Sequence, residues 1–349
     1  MKSFEYAAPI TLKEATALLG GKWGETELLA GGTDLITSLK QEITGPRRVV
    51  SLKNITALRG IKVEKNTLTI GAMTTLGEET EFLHRAGAQG MTWPQLAGEY
   101  VTLTYEERLA GAEAIVNANK KAPAASRPAV VIGVQADDIP TAIKYARHAD
   151  KIGADGIIAL PLNGGRNPEK QAEYYAAIGA ASSKPLIAQA IGDMSVDLIL
   201  RMAKQTPTLQ YVKDEAGVTL PRLTEYSRNA QKLRGVFSGK HGPNFLDELA
   251  RGACGNMPAA GFADLYVAAW KAWKAGRKDE AEDMFGKTLL LIMDAQTYGV
   301  PGQKYILQLR GVFPNSICRR DDQGRVALDE EAKRAIERTV SYTKRWFKA

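Results

Sequence analysis

Two stretches of this sequence carry residues that could do chemistry. The first is Lys213, at the end of the run Leu209-Gln210-Tyr211-Val212-Lys213. An amine in an apolar mouth sheds its proton more readily than one in water, and the neutral amine attacks a carbonyl carbon. The resulting Schiff base draws electrons from the neighbouring carbon, so that bond cleavage, condensation or loss of water can follow. On position alone the alternative is a surface lysine at a strand end. The second stretch is Leu28-Leu29-Ala30-Gly31-Gly32-Thr33-Asp34-Leu35. Two glycines between a strand and a helix let backbone amides approach a phosphate, and the helix N-terminus favours the anion; the alternative is a plain tight turn. His241 has a ring of useful basicity near neutrality, and Arg166 can grip a carboxylate with two N–H groups. For both, the plain alternative is a solvated side chain. Cys254 and Cys318 lie far apart without zinc spacing and read as thiols of a reducing compartment, the alternative being a single bridge between them. His84 and His148 fall in helical patterns with no partner at ligand spacing, so no metal is expected.

These residues have to be held by strands and helices in alternation. Short apolar runs at 90–94, 129–134, 156–161, 185–190, 209–213, 235–238 and 253–257 read as strands. Helical spacing fills the intervals at 105–118, 141–152, 169–181, 195–204 and 223–233. Strand and helix in turn imply parallel βαβ units. Seven such strands in a row suggest a (β/α)8 barrel with one strand unaccounted for. A charged residue at the C-terminal end of a barrel strand points into the catalytic mouth, which is where Lys213 falls. The tail reads as helices over 259–275, 278–297 and 328–347. The last opens on Asp329-Glu330-Glu331 and closes on Lys344, Arg345 and Lys348, the charge order that suits a helix dipole. Ahead of the barrel, 11–19 and 34–40 read as short helices, 27–30 as a brief apolar run, and 48–52 and 67–73 as strands. No linker marks the join, which falls within 70–81.

Composition agrees with a globular chain. There are 349 residues, 44% hydrophobic and 24% charged, enough for one large domain or two ordinary ones. Lys and Arg number 46 against 39 Asp and Glu, a net +7 with no block of like charge. A nucleic-acid partner is therefore not expected, and the excess suits anionic small molecules. No run approaches the ~20 apolar residues of a membrane span, and the N-terminus lacks a signal core. A cytoplasmic protein with no membrane partner is the expectation.

Residues 4 to about 78 resemble the start of the flavin-binding subunit of molybdenum hydroxylases, of the xanthine and carbon-monoxide dehydrogenase type. The matching stretches are Phe4-Glu5-Tyr6, Leu29-Ala30-Gly31-Gly32-Thr33-Asp34-Leu35 and Thr69-Ile70-Gly71-Ala72-Met73-Thr74-Thr75. The resemblance implies FAD held by Ala30, Gly31, Gly32, Thr33 and Asp34, with Ile70, Gly71 and Ala72 also lining it. It covers less than a quarter of the chain.

Residues from about 79 to 324 resemble the dihydrodipicolinate synthase / N-acetylneuraminate lyase family of class I aldolases and lyases. The likeness rests on 82–90, on Gly98-Glu99 with Thr102-Leu103 and Glu106-Glu107-Arg108, and on Val131-Ile132-Gly133-Val134. It continues through Ala154-Asp155-Gly156 leading to Pro161, then Lys213, then Ser238-Gly239. It implies that Lys213 is the Schiff-base lysine. Where the family has hydroxyl residues before Gly-Glu, this chain has Leu96-Ala97, so the backbone amides of Ala97 and Gly98 become the candidates for a substrate carboxylate. The family's tyrosine after the fourth strand is missing from Pro161-Leu162-Asn163-Gly164-Gly165-Arg166, which leaves the proton relay open. Further mouth-facing candidates are Glu99, Tyr100, Asn163, Arg166, Gln189, Ser238, Gly239 and His241.

The expectation is an α/β chain with two parts. Residues 79–349 form a (β/α)8 TIM barrel that lacks its usual first βα unit and carries C-terminal helices. Residues 1–78 form a small α+β flavin-domain-like segment before it. The activity is a Schiff-base-forming lyase, aldolase or dehydratase acting on a pyruvate-type or sugar-derived 2-oxo acid. That reaction needs no cofactor, with FAD tied only to the N-terminal segment, and the assembly is a homodimer or homotetramer. The alternatives are an FAD-binding oxidoreductase component and a catalytically degenerate fusion. The run 67–73 is expected to pair as the missing first strand, between the second and the eighth.

Overall fold

The computed structural model describes residues 2–20, 24–30, 33–55, 61–64, 67–70, 76–229, 233–319 and 326–349. The chain divides into two compact units: Met1–Glu78 with Gly311–Pro314, and Glu79–Arg310 with Asn315–Ala349.

The smaller unit is built from β1 (Glu5–Ala7), α1 (Leu12–Ala17), β2 (Thr26–Leu29), α2 (Thr33–Lys40) and β3 (Arg48–Ser51). The strands form a parallel sheet in the order β1-β3-β2. Thr11 caps α1 by accepting from the Glu14 N–H at 3.2 Å, which satisfies one of the open donors of the first turn. Ala15, Val50, Leu52 and Ile55 make the core. Arg48 ties the sheet edge by donating to the Glu5 carboxylate at 2.8 Å. β4 (Ile61–Glu64) and β5 (Thr67–Ile70) pair antiparallel, Ile61 opposite Ile70. This corrects the expectation for 67–73. Its described residues pair with the segment just before them and not as a first barrel strand, and residues 71–73 lie outside the described residues. Closing a pairing over so short a span costs far less chain entropy than a crossover into a parallel sheet.

The larger unit is entered through α3 (Leu76–Arg85). It then alternates β6 (Gly90–Trp93), α4 (Tyr105–Lys120), β7 (Ala129–Gly133), α5 (Ile139–Ile152), β8 (Gly156–Ala159), α6 (Pro168–Ala181), β9 (Leu186–Ala190), α7 (Val196–Gln205), β10 (Leu209–Asp214), α8 (Thr219–Arg228), β11 (Gly235–Ser238), α9 (Phe245–Ala250) and β12 (Gly255–Asn256). The seven strands pair in parallel in sequential order. Among the described residues β6 and β12 remain the sheet's two edges, so the barrel wall lacks its first strand. All five residues of β9 are buried, as in a parallel sheet covered on both faces. Helix starts follow local chemistry. Thr104 and Glu107 form a reciprocal capping box on α4, and Asp138, Asn167 and Ser195 cap α5, α6 and α7. Gly111 of α4 lets the Trp93 ring lie against the helix backbone: a Cβ there would stand 2.1 Å from the indole.

Three further helices close the chain: α10 (Ala263–Lys274), α11 (Lys278–Leu309) and α12 (Glu330–Thr343). Phe262, Leu265, Phe285, Ile292, Ile306 and Ile336 are at the centre of their shared core. The spacing suggests an end to the second helix at 297. Instead the chain kinks at Gly299, φ 58°, ahead of Pro301, and then continues to Leu309. Arg310 then donates to both carboxylate oxygens of Asp264, at 2.8 and 2.7 Å, and to the carbonyls of Gly261 and Ala349.

Candidate active site

Lys213 stands on β10, opposite Gln189 of β9 and Phe237 of β11. Alternation along the strand fixes where it points. Val212 and Asp214 are fully buried on the other face. Asp214 is gripped there by Arg222 at 2.8 Å, and Arg222 also donates to the Met194 carbonyl at 2.9 Å. Lys213 is thereby turned inward, on the side of Tyr211 and Phe237, whose tilted rings have centroids 5.9 Å apart. Its side chain is 12% exposed.

Its partner is Glu215, which the sequence reading passed over. Lys213 Nζ lies 3.0 Å from Glu215 Oε1. The same oxygen accepts from the Lys240 N–H at 2.8 Å, and Oε2 accepts from Gln189 Nε2 at 2.6 Å. Burial pushes the Glu215 carboxyl up, but the Lys213 ammonium and these donors outweigh it, so its pKa settles below the usual carboxylate range. Gly239 makes room for it, because a Cβ on that residue would sit 2.0 Å from Glu215 Cγ. A signal for Glu215 existed: residues two apart at a strand end share a side.

His241 is packed behind this pair. Its Nδ1 accepts from the Ala259 N–H at 3.3 Å, and the Gln303 side-chain amide lies 3.1 Å from Nε2. The Ala259 N–H can only donate, so Nδ1 is the acceptor and the ring proton sits on Nε2, beside the Gln303 side-chain amide. Both ring nitrogens are thus committed. Burial, and then the nearby Lys213 charge, lower the His241 pKa to about 4. Tyr266 donates to the carbonyl of His241 and fixes the loop.

Other candidates are held for different work. The Ser238 hydroxyl donates to Glu248, which also accepts from Thr219 Oγ1 at 2.6 Å. Glu99 is buried, paired with Lys304, and accepts from the Arg319 N–H at 2.9 Å. The Gly98 N–H donates to the Gln95 carbonyl at 2.9 Å, and Ala97 is exposed in the same short turn. Gln189 is fully buried, and its Oε1 has no hydrogen-bond partner among the described residues. Arg166 is exposed. Asn163, at φ 49°, lines a pocket of about 210 Å³ with Leu96, Tyr100, Gln135, Asp137 and Ile191. Burial and the Asp137 carboxylate raise the Tyr100 pKa. The loops around this pocket are tied by Arg108, which donates to the carbonyls of Gln135 and Gly133 at 2.7 and 2.8 Å and stacks 3.8 Å above the Tyr145 ring. The pocket reaches Ile191, one residue beyond Ala190, whose carbonyl accepts from the Glu215 N–H at 2.8 Å.

In the smaller unit β2 ends at Leu29 and α2 begins at Thr33, with Asp34 in its first turn and Ala30 packed on the core. A strand followed closely by a helix start is an order that fits a pyrophosphate. Gly31, Gly32, Gly71 and Ala72 lie outside the described residues, and Ile70 ends β5. Among the described residues the unit's buried apolar side chains include Ala15, Leu39, Val49, Val50, Leu52 and Ile55.

Comparison with known proteins assigns the two parts separately. Residues 2–100 match the FAD binding domain in molybdopterin dehydrogenase. The carbon monoxide dehydrogenase medium chain of Hydrogenophaga pseudoflava is 44% identical over 71 residues, 20% of this chain and 25% of that one. The chain therefore spans a quarter of that subunit's length. A probable 2-dehydro-3-deoxy-D-pentonate aldolase of Escherichia coli K12 is 27% identical over 254 residues, 69% of this chain and 82% of that one. The crystal structure of dihydrodipicolinate synthase from Rhodopseudomonas palustris superposes with a TM-score of 0.68 at 25% identity, covering 76% of this chain and 90% of that one. Residues 64–342 match the dihydrodipicolinate synthetase family, and the chain belongs to that family.

Proposed function

We propose that the larger unit, 79–349, is a Schiff-base-forming lyase acting on a 2-oxo acid, with Lys213 as its nucleophile. The observation that carries this is the placing of Lys213. It is a largely buried amine at the C-terminal end of an interior strand of a parallel sheet, in contact with a carboxylate. That is the position from which barrel enzymes act. The neutral amine adds to the C2 carbonyl, and the iminium then draws electrons from C3, so that a C–C bond can break or form or water can leave. The named relative acts on a sugar-derived 2-oxo acid. The polar lining of the neighbouring pocket, Tyr100, Gln135, Asp137 and Asn163, suits the hydroxyls of such a tail. Of the two backbone amides considered for the carboxylate, that of Gly98 is engaged by the Gln95 carbonyl, which leaves Ala97 as the candidate. Gln189, Gly239 and His241 shape the mouth around Lys213 and Arg166 belongs to its rim, while Ser238 and Glu99 are engaged by Glu248 and Lys304. The reaction needs no cofactor. Residues 1–78 are read as a partial flavin-domain segment, with Ala30 to Asp34 as its phosphate contacts and Ile70 to Ala72 also lining the cofactor, and no chemistry is routed through them. Among the described residues no helix is long and apolar enough to cross a membrane. We place the protein in the cytoplasm as a homo-oligomer.

Borohydride trapping tests the reading. Pyruvate and a panel of sugar-derived 2-oxo acids are incubated with the protein and reduced, and mass spectrometry should locate the adduct on Lys213. Lys213→Arg should abolish it. No adduct across the panel would remove the reading.

A further inference from the structure

We infer that Glu215 is a second catalytic residue, the carboxylate that takes a proton from the Lys213 amine and returns it to the oxygen that leaves as water. This rests on the Lys213 reading above and adds the group that moves the proton. The geometry supports it from several directions. Glu215 Oε1 is already 3.0 Å from Nζ, within transfer distance. Two separate segments converge on this one side chain: β9 through Gln189, and the loop beyond β11 through the Lys240 N–H and through Gly239, whose missing Cβ leaves the space. Burying a charged pair is a poor source of stability, so such convergence on a single carboxylate points to a task. Both oxygens are oriented by donors, which fixes the lone pair facing the amine. Beside it, the buried Gln189 Oε1 offers an unused acceptor.

The step balances without any further reagent. Lys213 Nζ passes one proton to Glu215 and becomes a neutral amine. Its lone pair forms the N–C bond to C2 as the carbonyl π pair moves onto oxygen. A proton shifts from nitrogen to that oxygen, giving a carbinolamine. Glu215 then returns its proton to the hydroxyl, the C–O bond breaks, water departs and the nitrogen lone pair forms the iminium. In sum, ammonium and ketone become iminium and one water, and Glu215 ends as the carboxylate it began as.

The rate of borohydride-trapped adduct formation with pyruvate, measured on the full chain, decides the matter. Glu215→Gln keeps the size and the hydrogen-bonding edge and loses the transferable proton, so it should form the Lys213 adduct about 10²- to 10⁴-fold more slowly. Glu215→Ala should be equally slow, and added sodium formate should restore part of its rate, which a merely structural role would not allow. Thermal melts of both variants confirm the fold. Adduct formation by Glu215→Gln at the wild-type rate overturns the role of Glu215 and leaves Lys213 standing. A folded Glu215→Ala that formate does not help also overturns it. A wild-type protein that traps no 2-oxo acid removes the Lys213 reading, and the role of Glu215 falls with it.

Discussion

Acid should weaken this protein through one imidazole. His241 is committed at both ring nitrogens, and burial first and the Lys213 charge second lower its pKa to about 4. In the unfolded chain the same ring titrates at about 6.5. Below that pH the unfolded state binds a proton that the folded state refuses, so stability is intact above pH about 6.5 and is lost as the pH falls towards 4. The full shift of about 2.5 units corresponds to roughly 3 kcal/mol, and about 2 kcal/mol of it should disappear between pH 7 and pH 5. The chain has three histidines, so their ring signals can be followed individually by NMR. His241 should hold the neutral Nε2–H form to about pH 5. His241→Gln should flatten the matching part of the stability curve in urea unfolding. Lys213→Met should move the His241 titration upward, because it removes the second cause and leaves burial in place. A His241 ring that titrates near 6.5 would refute this reasoning. So would wild-type and His241→Gln stability curves that run parallel from pH 7 to pH 5.

Two further perturbations follow from packing. Arg310 and Asp264 are 1% and 0% exposed and bonded through both guanidinium nitrogens, so Arg310→Ala strands a buried carboxylate and should cost about 3–5 kcal/mol in denaturant unfolding; replacing both partners by apolar residues of similar volume should recover most of that. Gly239→Ala puts a methyl 2.0 Å from Glu215 Cγ and must move it, so the variant should lose about 1–3 kcal/mol and trap pyruvate more slowly, and an unchanged trapping rate would mean that Glu215 need not stand where it does.

Strands of the larger unit were legible because a parallel sheet covered on both faces needs short apolar runs, and Ile157-Ile158 and Leu186-Ile187 stand out between helical patterns. β4 was not legible: Ile61-Lys62-Val63-Glu64 is four residues of plain alternation, which surface segments also show. The strand character of Thr67–Ile70 was readable and its partner was not, since period two reports a pleat and says nothing of which chain lies alongside. The same limit governs the site. Lys213, Gln189 and His241 could be placed at the mouth from their position in the strand order. That Glu99 pairs with Lys304, more than 200 residues later, or that His241 meets Gln303, depends on how the C-terminal helices fold back over the sheet. Glu215 was lost for a smaller reason. The apolar run ends at Lys213, while the strand continues to Asp214, and the next side chain returns to the same side.

The missing first strand bears on whether such a site can work. It leaves β6 and β12 as edges, and neither of them carries Lys213 or Glu215. β10 is flanked by β9 and β11 and is in register with both over Tyr211 to Asp214, Lys213 opposite Gln189 and Phe237, Asp214 opposite Ala190 and Ser238. The contacts that orient Lys213 and Glu215 come from these three strands and from the loops that follow them. The anchors behind them, Asp214 with Arg222 and Ser238 with Glu248, tie β10 and β11 to α8 and α9. None of these bonds uses the absent strand. A wall opened at its edge therefore weakens closure of the sheet without removing a group that touches Lys213. That is why an active lyase suits these contacts better than a degenerate one.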